Sequence, residues 1–92
     1  MIRSELVQRL KDKFPELTLE DADASVKVIL EEISNSLANG GRVEIRGFGS
    51  FRANYRSPRA SRNPRTGESV SVPEKYVPHF KAGCVLTNMI NQ

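Results

Sequence analysis

The 92 residues include one cysteine, Cys84, and one histidine, His79, so the chain can close no disulfide within itself and offers no ordinary zinc ligand set. Catalytic groups are as sparse. Enzymatic chemistry needs a nucleophile with an oriented base, a carboxylate pair in a pocket, or metal ligands at workable spacing. The one candidate pair is Cys84 with His79, but the histidine lies between Pro78 and Phe80 and the cysteine has only Lys81 nearby to activate it. Gly47 and Gly49 lack the pattern of a phosphate-binding glycine loop. Met1-Ile2-Arg3-Ser4 opens no apolar run long enough for a signal peptide or membrane span, so a cytoplasmic, reducing location is expected. No enzyme activity, metal, cofactor, small-molecule substrate or membrane partner is expected.

Core-forming residues are also in short supply. Of the 92 residues about twenty form a polar, arginine-rich stretch, residues 56–75, leaving about seventy to build a core. Chains this small often complete their burial with disulfides, metal or oligomerisation, and here oligomerisation is the route left.

The net charge of +3 is unevenly distributed. Residues 1–41 carry five basic and eight acidic side chains, residues 42–65 seven and one, and residues 66–92 two and two. All seven basic residues of the middle block are arginines, whose planar fork suits phosphate and base edges. A polyanion is the expected partner.

Ser4 is expected to cap a first helix, with Glu5 near its positive end and Leu6, Val7, Leu10 and Phe14 at helical spacing before Pro15. Thr18-Leu19-Glu20-Asp21 has the form of a capping box, followed by an apolar stripe of Ala22, Val26, Ile29, Leu30, Ile33 and Leu37 up to Gly40-Gly41. From Arg42 the period changes to two. Val43 and Ile45 point to a core while Arg42, Glu44 and Arg46 point away. Gly47-Phe48-Gly49 reads as a tight connection holding a buried aromatic. A second strand from Ser50 to Arg56 puts Phe51, Ala53 and Tyr55 inward and Arg52, Asn54 and Arg56 outward. Lys75 to Lys81 reads as a third strand, with Pro78 favouring an edge position because it has no ladder donor. A short helix after Gly83, with Val85, Leu86, Met89 and Ile90, is expected to complete the core. This is an α+β chain: two N-terminal helices, a three-stranded antiparallel sheet and a short C-terminal helix.

Residues 56–75 cannot fold alone. Apart from prolines their apolar residues are Ala60, Val70 and Val72, too little surface to offset roughly 1 to 2 kcal/mol of ordering cost per backbone residue. Arg56, Arg59, Arg62 and Arg65 recur at every third position up to the turn signal Asn63-Pro64-Arg65-Thr66-Gly67, and Ser69-Val70-Ser71-Val72 alternates like a returning strand. The expectation is a projecting cationic hairpin with a proline at its tip. A net-positive sheet face, this arm, Lys75 and Lys81 beside the strands, and a helix start at Ser4 with free amides together indicate nucleic-acid binding. No aromatic lies between Arg56 and Lys75, which argues against base-stacking platforms for single strands or RNA and favours a duplex groove.

Arg46-Gly47-Phe48-Gly49-Ser50-Phe51, Arg62-Asn63-Pro64-Arg65-Thr66-Gly67 and Val77-Pro78-His79-Phe80-Lys81-Ala82-Gly83 resemble the signature of the bacterial HU and integration host factor family. The resemblance runs the whole length of the chain. Arg42 to Arg46, Tyr55 to Arg59 and Lys75 to Phe80 make it most similar to the beta-type branch of integration host factor. It implies an intertwined dimer, with an alpha-type partner as a heterodimer or with itself, whose sheet forms a saddle and whose two arms enter the minor groove of double-stranded DNA. Bending by an inserted apolar wedge is a known property of that family, not something read from this sequence. Carried over, Pro64 matches the intercalating wedge, and Arg59, Arg62, Asn63, Arg65, Thr66 and Gly67 match groove and backbone contacts; Arg56, the first of the arm's arginines, is expected to contact DNA with them. Glu44 and Arg46, beside Arg42, match positions used for site preference. Arg3, Ser4, Gly47, Ser50, Lys75 and Lys81 match phosphate-clamp positions. Cys84 stands where relatives often have a lysine. The implied layout is a single domain, 1–92, with a helical dimerisation body at 1–41, saddle at 42–55 and 76–81, arm at 56–75 and C-terminal helix at 83–91. The implied function is architectural, bending DNA in the nucleoid for recombination and transcription. A general HU-like homodimer, or a module whose arm grips an acidic protein, are the alternatives.

Overall fold

Ile2, not Ser4, starts the first helix. In the computed structural model, which describes residues 1–92, α1 spans Arg3–Lys13 and the extended Ile2 offers its carbonyl to the amides of Glu5 and Leu6 at 3.1 and 3.2 Å. Ser4 is therefore already inside the first turn, and no side chain caps the helix. The Phe14 amide donates to the Leu10 and Lys11 carbonyls as the helix ends, and Pro15 has no N–H with which to extend it. Thr18 caps α2 (Leu19–Ala38) as its pattern predicts, its Oγ1 accepting from the Asp21 amide at 3.0 Å. The far end closes with a Schellman pair: Gly40 N–H to Leu37 O at 3.1 Å and Gly41 N–H to Ser36 O at 2.8 Å.

Contacts divide the chain into two units, Met1–Asn35 and Ser36–Gln92. In the first, Val7, Ala22 and Val26 are buried, with Leu10 packed against them. Much of the α2 stripe is open to solvent, Ile29 being 59% and Leu30 40% exposed.

The second unit carries β1 (Val43–Ile45), β2 (Gly49–Arg56), β3 (Arg59–Arg62), β4 (Ser69–Val72), β5 (Lys75–Ala82) and α3 (Cys84–Ile90). β1, β2 and β5 form an antiparallel sheet in the order β1-β2-β5, which leaves Pro78 on an edge strand of this chain, as expected. The register pairs Glu44 with Ser50, Ser50 with Lys81 and Tyr55 with Tyr76. Period-two alternation then puts Phe51, Ala53, Tyr55, Tyr76 and Phe80 on one face. Phe51 and Phe80 meet at 4.8 Å between ring centroids, and Phe48 and Phe80 at 5.3 Å. Gly49 is buried under this cluster, where a Cβ would lie 2.5 Å from the Lys81 carbonyl oxygen and 2.6 Å from the Phe80 ring.

Expectations about burial are corrected at several positions. Phe48, expected inside, is 43% exposed; Ile45 and Tyr55, on the apolar side as expected, are 39% and 51% exposed; and α3 buries no residue, with Val85, Met89 and Ile90 between 56% and 71% exposed. A periodic pattern identifies the apolar face of an element but not the surface that covers it, and one chain supplies too little surface for these groups.

Candidate nucleic-acid interface

The sheet's second face is polar and cationic. Across it run the rows Glu44–Ser50–Lys81, Arg52–His79, Asn54–Val77 and Arg56–Lys75. Arg46 and Gly47 lie in the β1–β2 turn, and Arg42 precedes β1 at its other end. Arg42, Glu44, Arg46, Ser50 and Lys81 line one shallow cleft. Arg42 Nη2 donates to Glu44 Oε1 at 2.6 Å, so of the two arginines that could neutralise this acid, the structure chooses Arg42 and leaves Arg46 without an ion pair. Both partners are well exposed, and such a pair contributes about 0 to 1 kcal/mol to stability. Its effect is to orient the guanidinium. Arg52, expected from the sequence to face outward, shares this face with His79.

The arm is a two-stranded ribbon of β3 and β4, with Arg59 opposite Val72 and Arg62 opposite Ser69. Directly opposed residues share a face, so Arg59, Ser61, Val70 and Val72 lie on one side and Ala60, Arg62, Ser69 and Ser71 on the other. The three-residue arginine spacing thus places a cation on each side.

At the tip, Asn63 organises the turn. Its amide donates to Glu68 O at 2.8 Å, its carbonyl accepts from Gly67 N–H at 2.7 Å, and its Oδ1 accepts from the Arg65 amide at 2.9 Å. Gly67 has φ +74°, a conformation glycine adopts without steric cost. Thr66 Oγ1 accepts from the Glu68 amide at 3.3 Å. These bonds hold Pro64 and Arg65 outward, both exposed. Arg3 and Ser4 stand exposed in the first turn of α1, in the other unit.

At the arm's base the structure adds a contact that the sequence does not signal. Tyr55 Oη donates to Glu74 Oε2 at 2.7 Å, and the Tyr55 ring lies 5.5 Å from that of Tyr76. The hydrogen bond to Glu74, with lesser contributions from desolvation and from Tyr76, raises the Tyr55 pKa above its ordinary 10.0. No group of three or more His, Cys, Asp or Glu side chains could hold a metal ion, and no helix is long and apolar enough to cross a membrane.

The sequence matches the bacterial DNA-binding protein family over residues 1–91. It is 57% identical over 91 residues to integration host factor subunit beta of Azoarcus sp. (strain BH72), covering 99% of this chain and 97% of that one. The subunit beta of Dechloromonas aromatica (strain RCB) is 55% identical over 92 residues, covering 100% of this chain and 98% of that one. Among solved structures, the Anabaena HU–DNA cocrystal structure superposes with a TM-score of 0.87 at 34% identity, covering 98% of this chain and 97% of that one. HU from Thermotoga maritima gives 0.68 at 29% identity, covering 98% of each chain.

Proposed function

The chain belongs to the bacterial DNA-binding protein family, that of HU and integration host factor, and from that membership we propose that it bends double-stranded DNA by inserting Pro64 into the minor groove. The family is one of DNA-binding architectural proteins, not of enzymes. The observation that carries the bending proposal is the arm: a ribbon with arginines on both faces and Pro64 held outward at a hydrogen-bonded tip. Arg56, Arg59, Arg62, Arg65 and Asn63 hold the groove walls, Thr66 and Gly67 complete the tip, and Lys75, Lys81, Ser50 and Gly47 receive phosphates as the duplex follows the sheet. Arg3 and Ser4 supply a further phosphate contact at the α1 N-terminus. The wedge unstacks one base step, at a cost of a few kcal/mol, and the bent duplex regains that in contacts with the protein.

The working species is a dimer, formed with an alpha-type partner on the analogy of the beta subunits it resembles. It acts at the nucleoid, in recombination and transcription. The layout proposed is a single domain with a helical body at 1–41, saddle at 42–55 and 76–81, arm at 56–75 and terminal helix at 83–91. Arg42, Glu44 and Arg46 set site preference, Glu44 by orienting an arginine that senses groove width more than base identity. A fluorescence-transfer assay on a duplex labelled at both ends tests this reading, with the protein alone and with an alpha-type partner. Bending is expected in at least one arm of the assay. Binding without bending would overturn the wedge, and equal bending of all sequences by the protein alone would favour a general HU-like homodimer.

A further inference from the structure

The ribbon is interrupted where the arm leaves the sheet. Pairing of β2 with β5 ends at Arg56 and Lys75, and pairing of β3 with β4 starts at Arg59 and Val72. The register is continuous across the gap, so Ser57 stands opposite Glu74 and Pro58 opposite Pro73. A proline has no N–H to give to a ladder, and two facing prolines remove a donor from each strand. The arm is accordingly a separate two-stranded sheet, and backbone pairing across the gap does not set its direction.

One side-chain hydrogen bond reaches into this gap, that from Tyr55 to Glu74 at 2.7 Å. Tyr55 pairs with Tyr76, so Glu74, two residues before Tyr76, occupies the diagonal position that a long side chain can span. The tyrosine is anchored in the last rungs of the sheet by its ring contact with Tyr76, while the carboxylate belongs to the unpaired segment. Tyr55, Arg56, Arg59 and Lys75 line a cleft at the same place, and Glu74 forms an ion pair with none of these cations. Arg56 and Lys75 are also directly opposed like charges, a destabilising arrangement that an anion would relieve.

We propose that Glu74 is a positioning residue for the arm: held by Tyr55, it fixes the direction in which the ribbon crosses its two-proline gap and is kept from neutralising the cations beside it. This rests on the reading of the arm as the DNA-bending element. Tyr55→Phe keeps the ring and removes the donor, and Glu74→Ala removes the acceptor. Two measurements apply to each variant and to the double variant: amide order parameters across residues 59–72 in the free protein, and affinity for a bent duplex over a range of salt. All three variants are expected to lower arm order to the same extent, because they break one bond. Affinity should fall about two- to fivefold, the size of an exposed polar pair, with the salt slope unchanged because no phosphate contact is lost. Unchanged order parameters in either single variant would overturn the proposal. So would a gain in affinity in Glu74→Ala with Tyr55→Phe neutral, the pattern of a surface acid that merely repels DNA. Loosened arms in a protein that bends no duplex would support the positioning role while refuting the bending function.

Discussion

Arg59 and Arg62 lie on opposite faces of the β3–β4 ribbon, because they are three residues apart in a strand whose side chains alternate every residue. A ribbon entering a groove can therefore present a cation to each wall. Arg59→Ala and Arg62→Ala should each weaken duplex binding across sequences and flatten the log affinity against log salt slope by about one. The double variant should lose about two, since opposite faces do not share a phosphate. A single substitution that leaves the slope unchanged removes that arginine from the contacts.

Pro64 sits beyond the hydrogen bonds that close the tip. Pro64→Ala should therefore reduce bending more than affinity, because the flanking arginines still release counterions while the rigid wedge is gone. Fluorescence transfer on a doubly labelled duplex reads the angle. A variant that bends as sharply as the parent would reduce Pro64 to a turn residue.

Glu44 accepts from Arg42 and not from Arg46. Glu44→Ala should leave non-specific affinity equal or slightly higher, since a carboxylate near phosphates is removed, but release the arginine it orients. The gap between a preferred site and random duplex should narrow by about 1 to 3 kcal/mol. Competition binding at fixed salt, with the alpha-type partner present, measures it. An unchanged gap would move the general HU-like reading ahead.

The chain buries only Val7, Ala22 and Val26 as core hydrophobics, while Ile29, Phe48, Val85, Met89 and Ile90 stand open. Folding is therefore expected to be coupled to dimerisation. Sedimentation should give a dimer mass at micromolar concentration, and the unfolding midpoint should rise with protein concentration. A folded monomer there would refute this.

Tyr55 donates to Glu74 only while protonated, and its pKa in the folded chain is raised above the ordinary 10.0. A raised value stabilises the protonated form, so the contribution is fully present below pH 10.0 and is lost as pH rises through the higher folded value. The tyrosinate absorbance difference between the parent and Tyr55→Phe isolates this group. A midpoint at or below 10.0 would mean that the bond does not form in solution.

Much of this organisation is local and was legible in the chain. The Thr18 cap, the Gly40-Gly41 stop, the turn from Asn63 to Gly67 and the alternation of β2 each depend on neighbours a few residues apart, where backbone sterics and short hydrogen bonds dominate. The arginine-rich ribbon and its exposed proline follow from the same signals. Ser4 misled because a hydroxyl near a helix start is only a candidate cap, and the carbonyl of Ile2 took the first bonds. The choice of Arg42 over Arg46 needed the side-chain geometry, since both stand two residues from Glu44. The bond from Tyr55 to Glu74 joins residues 19 apart, and only the strand register brings them together. Sequence alone determined which faces are apolar and which are cationic, because side-chain direction follows the period of each element. Tertiary structure decided what meets those faces and what leaves Phe48 and α3 uncovered, because burial depends on surfaces brought together from distant parts of the chain or from another molecule.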